Sequence, residues 1–215
     1  WRTRMRLRAR GIRPDWTRQD ESVPVPPGAG SDVPMSGPAE DRIGLDRPSF
    51  VYPMFEEALR IAAGESIEIH RRRIGDLWAQ FSAVAAANPN AWVREALTAE
   101  QICEVGPDNR MISWPYPKLM NAHAYIDQSA AVVMTSVAAA RTLGIPRDKW
   151  VFLHGCADAH DHWYVSERMN LHSSPAIHAA SAQALAMAGK TLEEIEVFDL
   201  YSCFASAVQI GCQEI

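Results

Sequence analysis

The sequence predicts a layered α/β fold with a mostly helical segment in its middle. Two observations carry that expectation. Short apolar runs at residues 129–136, 150–153 and 197–200 alternate with helix-patterned stretches, the order of strands covered by helices. Between residues 54 and 103, apolar side chains instead recur at three- and four-residue spacing, the period of helices with one buried face.

Taken in order, Trp1–Arg10 alternates Arg2, Arg4, Arg6, Arg8 and Arg10 with Thr3, Met5, Leu7 and Ala9. Period-two alternation predicts a half-buried strand or extended segment with its cations on one face, either a phosphate-binding patch or a solvated surface. From Pro14 to Pro48 the chain is rich in Pro, Gly, Ser and Asp, with V-P-V-P-P-G-A-G-S at its centre. Prolines remove backbone donors and fix φ, so a long loop or arm is expected there.

A short helix is predicted over Met54–Ala63, ended by Gly64. Ser66 is placed to cap the next, in which Ile67, His70, Ile74, Leu77, Trp78 and Phe81 share a stripe until Asn88-Pro89-Asn90 stops it. His70 on that stripe reads as a satisfied core or boundary histidine. Thr98 and Gln101 form a capping-box pattern for a third helix. Asp15, Asp20, Glu56 and Glu57 have no partners at catalytic spacing and read as surface charge.

Beyond Gly106, Arg110–Trp114 is a candidate strand, and P-Y-P-K (Pro115–Lys118) a rigid turn. Ser129–Ser136 is nearly continuous in apolar residues, as in a strand buried on both faces. A small helix, Val137–Leu143, ends at Gly144 and Pro146, and Trp150–Leu153 is the next strand. Ser174-Pro175 is a strong helix start, with Pro at the first helical position. The alanine-rich helix Ala176–Ala188 runs to Gly189, and Thr191 with Glu194 makes a second capping-box pattern. The strand Val197–Leu200 then delivers Tyr201, Ser202 and Cys203 to the start of a helix, Ala205–Gln213. In α/β proteins ligands collect where a strand's carboxyl end faces a helix N-terminus.

The 215 residues suffice for one large domain or two small ones, and 47% hydrophobic with 22% charged content is globular. A formal charge of −5 argues against nucleic acid as the main partner. No apolar run reaches membrane-spanning length and no signal-peptide pattern opens the chain, so no membrane insertion and a cytoplasmic location are expected. Cys103, Cys156, Cys203 and Cys212 follow neither a metal-ribbon spacing nor a dense disulfide framework. The chain opens at Trp1 and stops at Ile215 within a helical pattern, so an internal fragment of a longer protein is expected.

Two places have the residue types of chemistry. His154, Asp158, His160, Asp161 and His162 supply metal-ligand types, but H-x-x-x-D-x-H-D-H matches no defined ligand spacing. The expectation is no metal; these groups hydrogen-bond a long connection, and one of them lines a cleft. Cys203 is either a nucleophile activated by the helix N-terminus or an inert small hydrophobe. Neither G-x-S-x-G nor a P-loop nor G-x-G-x-x-G occurs.

Two stretches resemble the thiolase superfamily. N-A-H-A-Y-I-D-Q-S-A-A-V-V-M (Asn121–Met134) resembles the family's N-A-S-G-I-N-D-G-A-A-A-V, matching at Asn121, Ala122, Asp127 and Ala130 and replacing Ser-Gly by His123-Ala124. D-L-Y-S-C-F (Asp199–Phe204) is similar to the N-E-A-F segment, which reads H-D-C-F in sterol-carrier-type thiolases. The opening W-R-T-R and the H-D-H-W before the alanine-rich helix are similar to acetyl-CoA acetyltransferase-like members.

The resemblance implies a partial thiolase fold, layered αβαβα, with a mostly helical lid. Residues 1–48 would end the N-terminal core half and form the arm, and 49–125 the lid. Residues 126–146 would return to that half, and 147–215 would begin the C-terminal half. It also implies an acyl-CoA C-acyltransferase of lipid metabolism, running thiolysis or Claisen condensation as a homodimer, with coenzyme A entering as acyl-CoA. The family's nucleophilic cysteine and its G-H-P histidine have no counterpart here, so this chain alone is expected to be inactive. By position Tyr201 replaces the Asn or His that orders the oxyanion-hole water, and Cys203 stands where relatives have Ala or Cys. These two are the candidate catalytic positions, and Lys118, Asn121 and His123 the candidate coenzyme A contacts. One alternative is a non-catalytic acyl-CoA or lipid-binding protein on the same fold. Another is a metal-dependent hydrolase using His154–His162.

Overall fold

The computed structural model describes residues 2–13 (2–5 by backbone alone), 20, 22–24, 33–123, 126 and 129–215. The centre of the proline-rich arm, Asp15 and the motif residue Asp127 lie outside them. The chain divides into two units, Trp1–Pro34 with His123–Met134, and Met35–Ala122 with Thr135–Ile215.

In the first unit, Arg2–Ala9 is a helix, α1, not the expected strand. Arg, Met, Leu and Ala are all strong helix formers, and alternating charge does not distinguish the two structures once a partner strand is lacking. Gly11, at φ 66°, ends α1 in the left-handed region, with Ile12 N–H reaching back to the Leu7 carbonyl at 2.9 Å. The expected strand at 129–136 is irregular chain without strand pairing and exposed throughout, Val132 by 94%.

The second unit is helical around a small hairpin. Its helices are α2 (Pro38–Arg42), α3 (Pro48–Ala62), α4 (Ile67–Ala87), α5 (Ala99–Cys103), α6 (Val137–Thr142), α7 (Pro175–Ala188) and α8 (Ala205–Glu214). Local chemistry sets most of their ends. The hydroxyls of Ser66, Thr98, Ser136 and Ser174 accept from the amides of Ile69, Gln101, Ala139 and Ile177. Gly189, at φ 62°, closes α7. Helix α3 starts at Pro48 rather than Met54, because proline is tolerated in a first turn where the amide has no intrahelical partner.

Strands β1 (Met111–Ser113) and β2 (Tyr116–Pro117) pair antiparallel. Among the described residues strand pairing is confined to these two. Trp150–Leu153 and Val197–Leu200, expected as strands, are irregular chain without strand pairing, with Val151 exposed by 96% and Val197 by 83%. Their apolar character requires covering partners, and the described chain does not supply them.

The core gathers Ile74, Ile102, Tyr116, Met120, Phe204 and Ala205. Phe204 stacks on Tyr52 at 4.5 Å between ring centroids and on Tyr116 at 5.7 Å. A polar network is sealed beside it. Glu56, read from sequence as surface charge, is 0% exposed. The helical period places it on the buried face of α3 beside Phe55 and Leu59. Its carboxylate accepts from His70 Nε2 at 2.6 Å, from Gln209 Nε2 at 2.8 Å and from the Tyr116 hydroxyl. His70 Nδ1 meets Glu65 at 2.7 Å, and Glu65 pairs with Arg73 at 3.0 Å. His70 is thus a satisfied core histidine. Burial is the largest influence on it and opposes the charged ring. The hydrogen bonds to Glu56 and Glu65, with the charge of Glu56, outweigh burial and leave its pKa raised.

Close approaches fix two glycines. A Cβ at Gly75 would stand 2.5 Å from Cys103 Sγ, where α4 meets α5, and one at Gly155 would overlap the Ala184 carbonyl of α7. Because the Ala184 obstacle is backbone, Gly155→Ala is expected to cost about 1–3 kcal/mol, the range for overpacking, read as a lowered midpoint in urea denaturation. A raised native pKa for His70 also carries a sign. The stability it contributes is full below the unfolded value of about 6.5 and is lost as pH rises through the raised native value. Unfolding free energy measured from pH 6 upward should therefore fall more steeply in the wild type than in His70→Gln.

Candidate functional site

A cleft of about 700 Å³ opens in the second unit, within the size range of small-molecule sites. Its apolar floor comes from the side of α3 that carries Val51 and Phe55 and from Ile210 of α8. Residues 157–163 form one wall, including His160 and His162, and Tyr201 stands at the rim.

Asp161 holds that wall in place. Its carboxylate accepts from the Ser174 hydroxyl at 2.6 Å and the Ala176 amide at 3.1 Å, and meets Arg168 at 3.3 Å. A carboxylate at the start of α7 satisfies otherwise orphaned amides and lies at the positive end of the helix dipole. Arg168 also donates to the His162 carbonyl at 3.2 Å and lies 5.5 Å over the Phe55 ring. The histidine-aspartate cluster is therefore a braced loop. Asp161 is its anchor, and His160 and His162 line the cleft. His160 stands 3.9 Å from Asp158, both well exposed. Among the described residues no group of three or more His, Cys, Asp or Glu is arranged to hold a metal ion.

Tyr201 is 71% exposed, and a hydrogen bond with the Cys203 side chain, first among its influences, raises its phenol pKa. Tyr52 lines the same cleft, its phenol raised by burial first and then by Cys203. Cys203 is half-buried against the Tyr116–Phe204 core. Tyr201 and Tyr52 thus line the cleft, and Cys203, outside the lining, meets both phenols from the core side. Both phenols stay neutral at physiological pH and can each donate one hydrogen bond.

Lys118 and Asn121 lie in the turn after β2, outside the cleft lining. Lys118 is exposed and donates from Nζ to the Asp108 carbonyl at 3.1 Å. Asn121 donates from Nδ2 to the Pro117 carbonyl at 2.9 Å, while its Oδ1 is buried without a hydrogen-bond partner among the described residues. His123 is exposed and belongs to the first unit. Sequence reasoning missed Tyr52 and Arg168. Tyr52 stands three residues before Phe55 on the α3 face, a spacing that could have found it; Arg168 is marked only by tertiary contacts.

No protein-family model and no curated protein matches the chain. Among solved structures it is similar to a monomeric SCP2-thiolase like protein type 1 from Mycobacterium smegmatis, with 39% identity and a TM-score of 0.75. The match covers 83% of this chain and 39% of that one, so the chain spans well under half of its solved neighbour's length. The chain has a partial thiolase-like α/β fold. No helix among the described residues is long and apolar enough to cross a membrane.

Because Asp161 caps α7 and braces the loop at once, Asp161→Ala should lower stability by about 1–2 kcal/mol, the upper range for losing a helix cap. Equilibrium denaturation measures it, and Asp161→Asn, which keeps an acceptor, should recover part of the loss.

Proposed function

We propose that the cleft beside Tyr201 binds an acyl-CoA, and that the whole protein is a thiolase-like acyl-CoA C-acyltransferase. The observation that supports this best is the place of Tyr201, from the Y-S-C-F segment, at the rim of an apolar-floored cleft, with its phenol against the Cys203 side chain. The apolar floor suits an acyl chain, and the neutral Tyr201 phenol suits a thioester oxygen or a water beside it. Asn121, beside Lys118 in the turn after β2, is a candidate contact for the pantetheine arm. Lys118 is the other candidate coenzyme A contact in this unit, through its charge toward a phosphate.

In this reading the groups that form and break bonds belong to the rest of a thiolase-like core. The same remainder covers the exposed apolar segments around Val132, Val151 and Val197. Residues 49–125 form the lid and 147–215 open the C-terminal core half. The protein acts in the cytoplasm. The resemblance favours a homodimer, whereas the solved neighbour is monomeric.

A second reading, a non-catalytic acyl-CoA or lipid-binding protein, is favoured by one observation. Cys203 meets two phenols, Tyr52 and Tyr201, neither of which is a base at neutral pH. Thiolysis of a 3-ketoacyl-CoA by the whole protein separates the two. Calorimetric titration with acetyl-CoA and with a longer acyl-CoA tests what they share. Saturable binding is expected, weakened about 2- to 10-fold by Tyr201→Phe, the worth of one hydrogen bond. Absence of saturable binding in the whole protein would overturn both.

A further inference from the structure

Helix α8 begins without a cap of its own. Its N-cap residue is Phe204, whose side chain cannot accept a hydrogen bond and is buried in the core instead. A helix start leaves its first amides without intrahelical acceptors, and buried donors of this kind need partners. The acceptor here comes from far along the chain. The Ser206 amide donates to the Tyr116 hydroxyl oxygen at 3.2 Å, and the Ser206 hydroxyl lies 3.1 Å from the same atom. Tyr116 accepts in this way because its own proton goes to Glu56. Glu56 is in turn saturated by His70 and Gln209. Ser206 Oγ also reaches the carbonyl of Tyr52, one of the residues lining the cleft.

We infer that Tyr116 is a positioning residue for the candidate site: its phenol oxygen caps α8 from a distance and so fixes Cys203 against the core and, through it, Tyr201 at the rim of the cleft. The chain from the capped turn to the site is short and continuous. Ser206 is capped, Phe204 is clamped between the rings of Tyr52 and Tyr116, and Cys203 precedes it with Tyr201 at the opening. When the cap is lost, the first turn of α8 loosens, and the thiol packed just before it is the first side chain to be released. The significance of this device rests on the cleft being the ligand site, but its test does not, so either can fail alone.

The test is residue-resolved alkylation of the purified protein with iodoacetamide, followed by peptide mass spectrometry. Cys103 is the internal control, half-buried where α4 meets α5 and donating to the Arg71 carbonyl at 3.3 Å. Tyr116→Phe keeps the ring and removes only the oxygen. It should accelerate modification of Cys203 roughly tenfold, the population change that losing a helix cap produces, while Cys103 changes less than about twofold. Ser206→Ala keeps the amide bond to Tyr116 and should leave Cys203 slow. An unchanged Cys203 rate in Tyr116→Phe would overturn the proposal. So would equal acceleration of Cys103 and Cys203, which reports general loosening, or a Ser206→Ala effect as large as that of Tyr116→Phe. Should Tyr116→Phe fail to fold, amide hydrogen exchange in the wild type decides. Protection of the Ser206 amide supports the cap, and exchange as fast as a frayed first turn overturns it.

Discussion

Glu56 is fully buried with its carboxylate facing the second unit's interior, and that constraint organises the elements around it. Leaving such a charge unpaired would cost about 3–5 kcal/mol, so the fold must bring donors to it. They come from α4 as His70, from β2 as Tyr116 and from α8 as Gln209. Arg73, paired with Glu65, also bonds Gln209 at 2.6 Å and so ties the exposed edge of the network to α8. The apolar core lies directly against this cluster, with Phe204 between Tyr52 and Tyr116. Packing alone would allow α8 to slide or turn. Directional hydrogen bonds to one buried carboxylate hold it in a single register.

The cleft follows from that register. Tyr52 and Phe55 project from α3, and α8 supplies Ile210 beside them. Opposite, the Asp161 loop is secured to the start of α7 by a second carboxylate serving as anchor. Glu40 repeats the device on a smaller scale. It accepts the amides of Ser166 and Gly37, each at 2.8 Å, and the Ser166 bond is the leading cause of its lowered pKa. In all three places a carboxylate fastens separate segments, and Glu56 does so although it reads as surface charge in the sequence.

The site was partly legible. Tyr201 and Cys203 stand out because a strand-like run delivers them to a helix start, and the structure brings Tyr201 to the cleft while Cys203 packs against the core. The His154–His162 stretch reads as a polar cluster, but only the contacts of Asp161 distinguish a braced loop from a ligand set. Lys118 and Asn121 share a turn outside the cleft lining, where proximity in sequence to a motif conveys nothing about distance to a cavity. The apolar runs at 129–136, 150–153 and 197–200 have strand composition, yet pairing needs a neighbour, and composition cannot supply one.

What the sequence determined by itself were helix limits and local caps. Ser66, Thr98, Ser136 and Ser174 start helices and Gly189 ends one because each satisfies, or permits, a bond within a few residues. Tertiary structure alone decided which donors meet Glu56 and that a tyrosine caps α8. The bonds from Glu56 to Tyr116, from Tyr116 to Ser206 and from Glu56 to Gln209 span 60, 90 and 153 positions. No periodicity or spacing rule operates over such separations. Only the burial of a charge, and its demand for donors wherever the chain can bring them, selects those partners.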